Sequence, residues 1–298
     1  VWNLSRHSAG MCFQFETDAP EIRARWKVTS SSLAMVHMPA TGASGLDLYG
    51  ETEPGRFRWA GVGRPTAQET EAVLAAGLLP GRRTYRVYLP LYNRTERVEV
   101  GVPAGAHFRP IAPRRERPLL FYGTSIVHGG CASRPGMAHP AILGRRLNLP
   151  TLNLGFSGNG QMEPEVADLL AELDPCVYVI DCLPNMQAEL VAARAEPLVR
   201  TLRKARPRTP IVLVEDRTYA NAPLLPAQRK RNDASRAALR NAYQRLTAEG
   251  MGDLHYVPGE NLLGDDGEAT VDGSHPTDLG FFRMADALEP LLRRLCGV

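Results

Sequence analysis

The sequence predicts an α/β protein in which a three-layer α/β/α domain with a parallel sheet follows a smaller, jelly-roll-like β-sandwich. Three observations predict it. Up to about residue 108, short alternating apolar segments are broken by Gly and Pro, as in antiparallel sandwiches. A stretch rich in proline and charge then interrupts every apolar pattern, and beyond it near-continuous apolar strands alternate with amphipathic helical segments. Two domains are expected, 1–112 and 113–298.

In the first half the expected strands are MCFQFE (11–16), SLAMVHM (32–38), LDLYG (46–50), RFRWAGV (56–62), YRVYLPL (85–91) and ERVEVGV (96–102), with one short helix over 69–76. The linker is PIAPRRERP (110–118), which holds three prolines and four charged residues. Strands are then expected at LLFYG (119–123), TLNLGF (151–156), VYVIDCL (177–183), IVLVE (211–215) and LHYV (254–257). Helices are expected near 137–147 and over 164–173, 187–205, 227–249 and 278–295.

Composition excludes several classes. A net charge of +3, from 35 basic and 32 acidic residues, supplies no field for nucleic acid or an anionic membrane. The apolar runs fall short of a membrane span. Five cysteines (12, 131, 176, 182, 296) are scattered without paired spacing, so reduced, mostly buried thiols are expected. The opening VWNLSRHSAG lacks a signal-peptide pattern, which favours a cytoplasmic location, with secretion compatible if the amino terminus was trimmed. The seven histidines show no metal-ligand spacing; no metal and no cofactor are expected, and the oligomeric state is left open.

Ligands of an open parallel sheet sit beyond the carboxyl ends of its strands, so the residues that follow the strands are the candidates for chemistry. A serine nucleophile needs a base, and the base needs a carboxylate to fix its tautomer. Ser125 follows the first strand in GTSI; Asp272 precedes His275 by three residues in VDGSHPTDLG. Oxyanion donors are offered by Gly158, in the loop after the second strand, and by Asn185, after the third. Taken singly, these fit a turn serine, an Asp-Gly turn with a capping histidine, a turn glycine and a helix cap. Other polar residues near these loops are His128, Arg134, His139 and the run Glu215, Asp216, Arg217, which fit either a substrate surface or solvated loops and local ion pairs. Cys131 has no positioned partner and reads as a packed thiol.

Together the four pieces resemble the SGNH/GDSL hydrolases, whose blocks occur in this chain order: YGTSIVHGG, NLGFSGNG, DCLPN and DGSHPTDLG, over 119–295. GLDLY at 45–49 is similar to the motif of a bacterial branch with an amino-terminal β-domain. Two positions depart from the usual pattern: Thr124 stands where Gly-Asp-Ser has aspartate, and Met186 follows Asn185 where aspartate is common. The resemblance implies Ser125 as nucleophile, Asp272 and His275 as its partners, and the Ser125 N–H, Gly158 and Asn185 as the oxyanion hole. It implies a serine esterase for short acyl, chiefly acetyl, esters of a carbohydrate or small polar molecule. An acyltransferase using the same residues and an inactive carbohydrate-binding protein are the alternatives.

Overall fold

The computed structural model describes residues 1–298. In the first half, β1 (Cys12–Thr17), β2 (Glu21–Val28), a short turn of helix α1 (Ala40–Ala43), β3 (Leu46–Glu53), β4 (Arg56–Gly63), β5 (Glu69–Ala76), β6 (Arg83–Tyr88), β7 (Thr95–Gly101) and β8 (Phe108–Ile111) follow in order. They form a five-stranded antiparallel sheet, β4-β3-β6-β1-β8, and a three-stranded one, β5-β2-β7. The sheets share a core of Phe15, Ile22, Trp26, Leu46, Leu48, Leu74, Tyr85 and Val87.

The second half contains β9 (Leu119–Gly123), α2 (Ser125–His128), α3 (His139–Arg146), β10 (Thr151–Gly155), α4 (Pro164–Glu172), β11 (Val177–Asp181), α5 (Ala188–Ala205), β12 (Ile211–Val214), α6 (Pro226–Ala248), β13 (Leu254–Val257) and α7 (Asp278–Cys296). The five strands are parallel, in the order β10-β9-β11-β12-β13. Because successive side chains alternate between faces, Leu119, Phe121, Val177 and Val179 join a core with α3 and α7. Leu120, Tyr122, Tyr178 and Ile180 join a second core with α4, α5 and α6. Burial on both faces explains why these strands read as unbroken apolar runs.

The expected architecture is the observed one, with differences confined to the first half. Residues 69–76 are strand β5, not a helix: Thr70 and Leu74, four apart, fit one helical face as well as one strand face, and pairing with β2 decides for the strand. Residues 32–38 form a loop closed by a single Met35–Met38 bridge rather than a strand. Strand β2 was not expected; its Ile22, Ala24, Trp26 and Val28 face inward between Glu21, Arg23, Arg25 and Lys27. Strand β8 runs into the expected linker as far as Ile111 by pairing with β1.

The two halves interlock. Met38, Ala43 and Leu91 belong to the same core cluster as α3 and α7. Asp47, fully buried in β3, accepts hydrogen bonds from Arg134 Nη1 (2.8 Å), Gly136 N (2.8 Å) and Trp59 Nε1 (3.0 Å). Arg134 also donates to the Tyr49 hydroxyl.

Candidate active site

Strand β9 lies between β10 and β11, so the loops leaving β9, β10 and β11 diverge at a switch in strand order, where a crevice opens beyond the carboxyl ends. Gly123 closes β9 in a space with no room for a side chain: a Cβ would lie 2.3 Å from the Asp181 carbonyl oxygen. The chain turns at once into α2, whose first residue is Ser125. Thr124 caps this turn by accepting the Ile126 N–H (3.3 Å), a local role that a hydroxyl at this position can fill.

Ser125 Oγ lies 2.8 Å from His275 Nε2, and His275 Nδ1 lies 2.8 Å from Asp272 Oδ2. With Nδ1–H donating to the carboxylate, Nε2 is left as an acceptor for the serine hydroxyl. Asp272 also accepts the backbone N–H groups of His275 (2.8 Å) and Ser274 (3.0 Å). Burial pushes the Asp272 pKa up, but the hydrogen bonds from His275 and Ser274 outweigh it and hold the carboxyl below its usual range. The loop bearing both residues is pinned by Val271 N to His275 O (2.9 Å) and by Ala220 N to Gly273 O (2.9 Å). His275 does not cap the last helix, since α7 begins after Thr277.

Gly158 is exposed, with φ +72°, and its N–H donates to no acceptor in the protein. Asn185 ends a single 3-10 turn, Leu183–Asn185, and does not cap α5, which follows Gln187. Its Nδ2 donates to the Asn159 carbonyl (2.5 Å), which joins the β10 and β11 loops and leaves a second amide hydrogen. Ser125, His275 and Asp272 are thus linked directly by hydrogen bonds, and Gly158 and Asn185 are linked to each other through Asn159.

The sequence profile of the GDSL-like lipase/acylhydrolase family matches residues 116–293, and that of the amino-terminal domain of SGNH-hydrolase-type esterases, with its Gly-x-Asp-Leu-Tyr motif, matches 1–108. The chain belongs to the GDSL-like lipase/acylhydrolase family. Among solved structures it is similar to one described as a GDSL-like lipase from Bacteroides ovatus, at 35% identity and TM-score 0.94, covering 99% of this chain and 87% of that one. It shares its fold with the salicylyl-acyltransferase SsfX3 of a tetracycline biosynthetic pathway (21% identity, TM-score 0.76, 98% of this chain and 84% of that one). It also shares it with a family two carbohydrate esterase from Clostridium thermocellum in complex with cellohexaose (15%, 0.71, 98% and 94%). No curated protein matches the chain.

In this GDSL-like hydrolase, two residues of the β-domain reach the site, and nothing in the four blocks signals them. The Tyr92 hydroxyl donates to the Ser125 carbonyl (3.4 Å). The His37 ring meets the His275 ring edge-on, with centroids 5.6 Å apart.

Several polar residues near the blocks lie elsewhere. His128 and His139 are fully buried, neither lining a substrate surface nor solvated, and desolvation pushes each pKa down to about 3. Arg134 is the ion-pair partner of Asp47. Glu215, Asp216 and Arg217 are also fully buried: Arg217 pairs with Asp181 (2.7 Å), Asp216 with Arg231 (3.3 Å) and Glu215 with Arg240 (2.7 Å). Satisfied by these internal partners, they present no polar face to a sugar. Cys131 is a packed thiol, raised to about 12 chiefly by burial. Only Cys131 and Cys182 are buried, whereas Cys12 is exposed and the half-buried pair Cys176 and Cys296 has sulfurs 3.0 Å apart.

Proposed function

We propose that the chain is a serine esterase that releases short acyl groups, acetyl foremost, from esters of a carbohydrate or another small polar alcohol. The observation that carries this reading is the continuous hydrogen-bonded run from Ser125 through His275 to Asp272. Ser125 Oγ attacks the ester carbonyl carbon as its proton passes to His275 Nε2, and Asp272 steadies the imidazolium. The oxyanion is met by the Ser125 and Gly158 N–H groups and the Asn185 amide. As the first residue of its helical turn, Ser125 has no intrahelical acceptor for its N–H. The carbon–oxygen bond to the alcohol then breaks as His275 returns the proton to the departing oxygen. Water, deprotonated by His275, attacks the acyl-Ser125, releases the carboxylic acid and restores the serine hydroxyl.

The short-chain preference rests on what surrounds the nucleophile. A long acyl chain needs an apolar channel that starts there. Phe156, Met162, Leu183 and Met186, the apolar side chains of the neighbouring loops, are instead packed into the core beside α4 and α5. The likeness to a carbohydrate esterase supports the polar alcohol by analogy of fold.

The test is labelling by a fluorophosphonate, followed by a p-nitrophenyl ester series from acetate to palmitate beside acetylated sugars. Labelling at Ser125 that is lost in Ser125→Ala, with kcat/KM highest for acetate, is the expected result. Activity retained in a folded Ser125→Ala protein would reject the nucleophile, and kcat/KM rising beyond octanoate would reject the short acyl group. Product analysis with added alcohol separates hydrolysis from transfer, the reading favoured by the likeness to an acyltransferase.

A further inference from the structure

The base of a serine esterase is also the acid that protonates the departing alcohol, so whatever touches the outer side of that histidine lies beside the alcohol half of the ester. In this chain a segment of the β-domain does so. Its loop between β2 and α1 is closed by the Met35–Met38 bridge and brings the half-buried His37 ring edge-on to the His275 ring. Next to His37 in sequence, the Val36 side chain is completely solvent-exposed. The ring that meets His275 is thus followed outward by an exposed aliphatic residue of the same loop. Exposed aliphatic side chains beside a reacting centre are suited to an apolar substrate face, and an imidazole adds a ring surface and one polar nitrogen.

We propose that the β-domain loop 31–38 forms the alcohol-binding side of the catalytic cleft, with His37 touching the departing alcohol, and that this alcohol presents an apolar ring face, as the C–H face of a sugar ring or an aryl ring does. The inference rests on Ser125 and His275 acting as nucleophile and base. It makes the β-domain a determinant of alcohol choice, while the acyl group is selected by the hydrolase half.

The consequence is kinetic. All acetates pass through the same acetyl-Ser125, from which the alcohol has already left. A residue that contacts only the alcohol therefore changes acylation and leaves turnover of that intermediate unaltered. A residue that merely holds the His275 ring changes both steps. The experiment uses the full chain and acetates that differ in alcohol: p-nitrophenyl acetate, phenyl acetate, an acetylated methyl glycoside and ethyl acetate. His37→Ala is expected to lower kcat/KM for the ring-bearing acetates by roughly 10-fold more than for ethyl acetate, the order of one lost apolar contact. The steady rate after the p-nitrophenol burst, which reads turnover of acetyl-Ser125, is expected to stay at the wild-type value. His37→Phe, which keeps a ring at this position, is expected to retain most of the preference for ring-bearing alcohols. Equal loss in both steps, or an unaltered ranking of alcohols in a His37→Ala protein with the wild-type melting temperature, overturns the proposal. Failure of a fluorophosphonate to label Ser125 in the wild type would instead remove the nucleophile on which it rests.

Discussion

Replacing Asn185 by alanine separates the structural role of its amide from the catalytic role proposed for it. The first is structural: Nδ2 donates to the Asn159 carbonyl and ties the β10 loop to the β11 loop. A single intramolecular hydrogen bond contributes about 1 kcal/mol net, and in a chain of this size that shifts Tm by about 2–4 °C. The second role, on the proposed mechanism, is donation of the other amide hydrogen to the oxyanion. Loss of one such donor costs roughly 10²- to 10³-fold in kcat, or about 2.7–4 kcal/mol of transition-state stabilisation. KM should change much less, because the charge this hydrogen meets exists only after attack. Asn185→Ala should therefore melt within a few degrees of the wild type and hydrolyse p-nitrophenyl acetate at least about 100-fold more slowly at saturation. Asn185→Asp, which keeps the shape but replaces the donor with an acceptor of negative charge, should be no better. A variant that melts early yet keeps kcat within about threefold would show that the amide only joins two loops and that the oxyanion is held by backbone alone.

Three further outcomes are expected. Asp47→Ala leaves Arg134, whose side chain is 22% exposed, without its carboxylate, and the cost of breaking such a pair, up to about 3–5 kcal/mol, should appear as a lower Tm; an unchanged melt would show that the interlock contributes nothing. His139 has a folded pKa near 3 against an ordinary 6.5, so the unfolded chain binds a proton that the native state excludes, and stability present above about pH 6.5 is lost as pH falls towards 3. At about pH 4.5 that loss is on the order of 2–3 kcal/mol. His139→Phe, set between Phe121 and Phe281 at a ring whose two nitrogens have no partner, should remove that share of the acid loss; parallel pH–stability curves for the two proteins would refute it. Finally, the Cys176 and Cys296 sulfurs need approach by only about 1 Å to reach disulfide distance, at the last residue of α7. In a Cys12→Ser protein, oxidised glutathione should join Cys176 to Cys296 and raise Tm, Cys176→Ser should abolish the rise, and two sulfurs still unlinked by peptide mass would rule the bond out.

The hydrolase half was legible because its central strands β9, β11 and β12 are buried on both faces, so LLFY, VYVI and IVLV are apolar without interruption and mark where the chemistry-bearing loops begin. Strands β2, β5 and β7 of the β-domain are buried on one face only, and there the local pattern divides. EIRARWKV alternates as a strand should, but its outward charges mask the inward Ile22, Ala24, Trp26 and Val28. ETEAVLAA spaces Thr70 and Leu74 by four, which suits either period, and only the partner strand β2 settles it. The same limit applies to the site. Asp272 and His275 are three residues apart and could be read locally, whereas His37 and Tyr92 reach it only because two domains dock, and docking leaves no period in a sequence.

That docking also gives the Gly-Leu-Asp-Leu-Tyr segment a physical reason. Leu46 and Leu48 are ordinary inward residues of a strand, and any apolar side chains of similar size would serve. Asp47 and Tyr49 are different, because both reach Arg134 across the junction. Next to Arg134, Ser133 is held twice by Asp278, through its N–H to Oδ1 (2.9 Å) and through its hydroxyl. The Thr41 hydroxyl, just before the motif, donates to the Ser133 carbonyl (2.6 Å). Asp278 is the first residue of α7, and His275 lies three residues before it. A chain of polar contacts therefore runs from the β-domain motif through residues 133 and 134 to the start of the helix that follows His275. A carboxylate buried in a strand is costly unless it is hydrogen-bonded on all sides. Asp47 meets that requirement only when the hydrolase half supplies Arg134 and Gly136, so β3 is completed by the same contact that braces the histidine loop. The β-domain is thus fixed to this face of the hydrolase by its own polar demand, and it carries His37 and Tyr92 to Ser125 and His275.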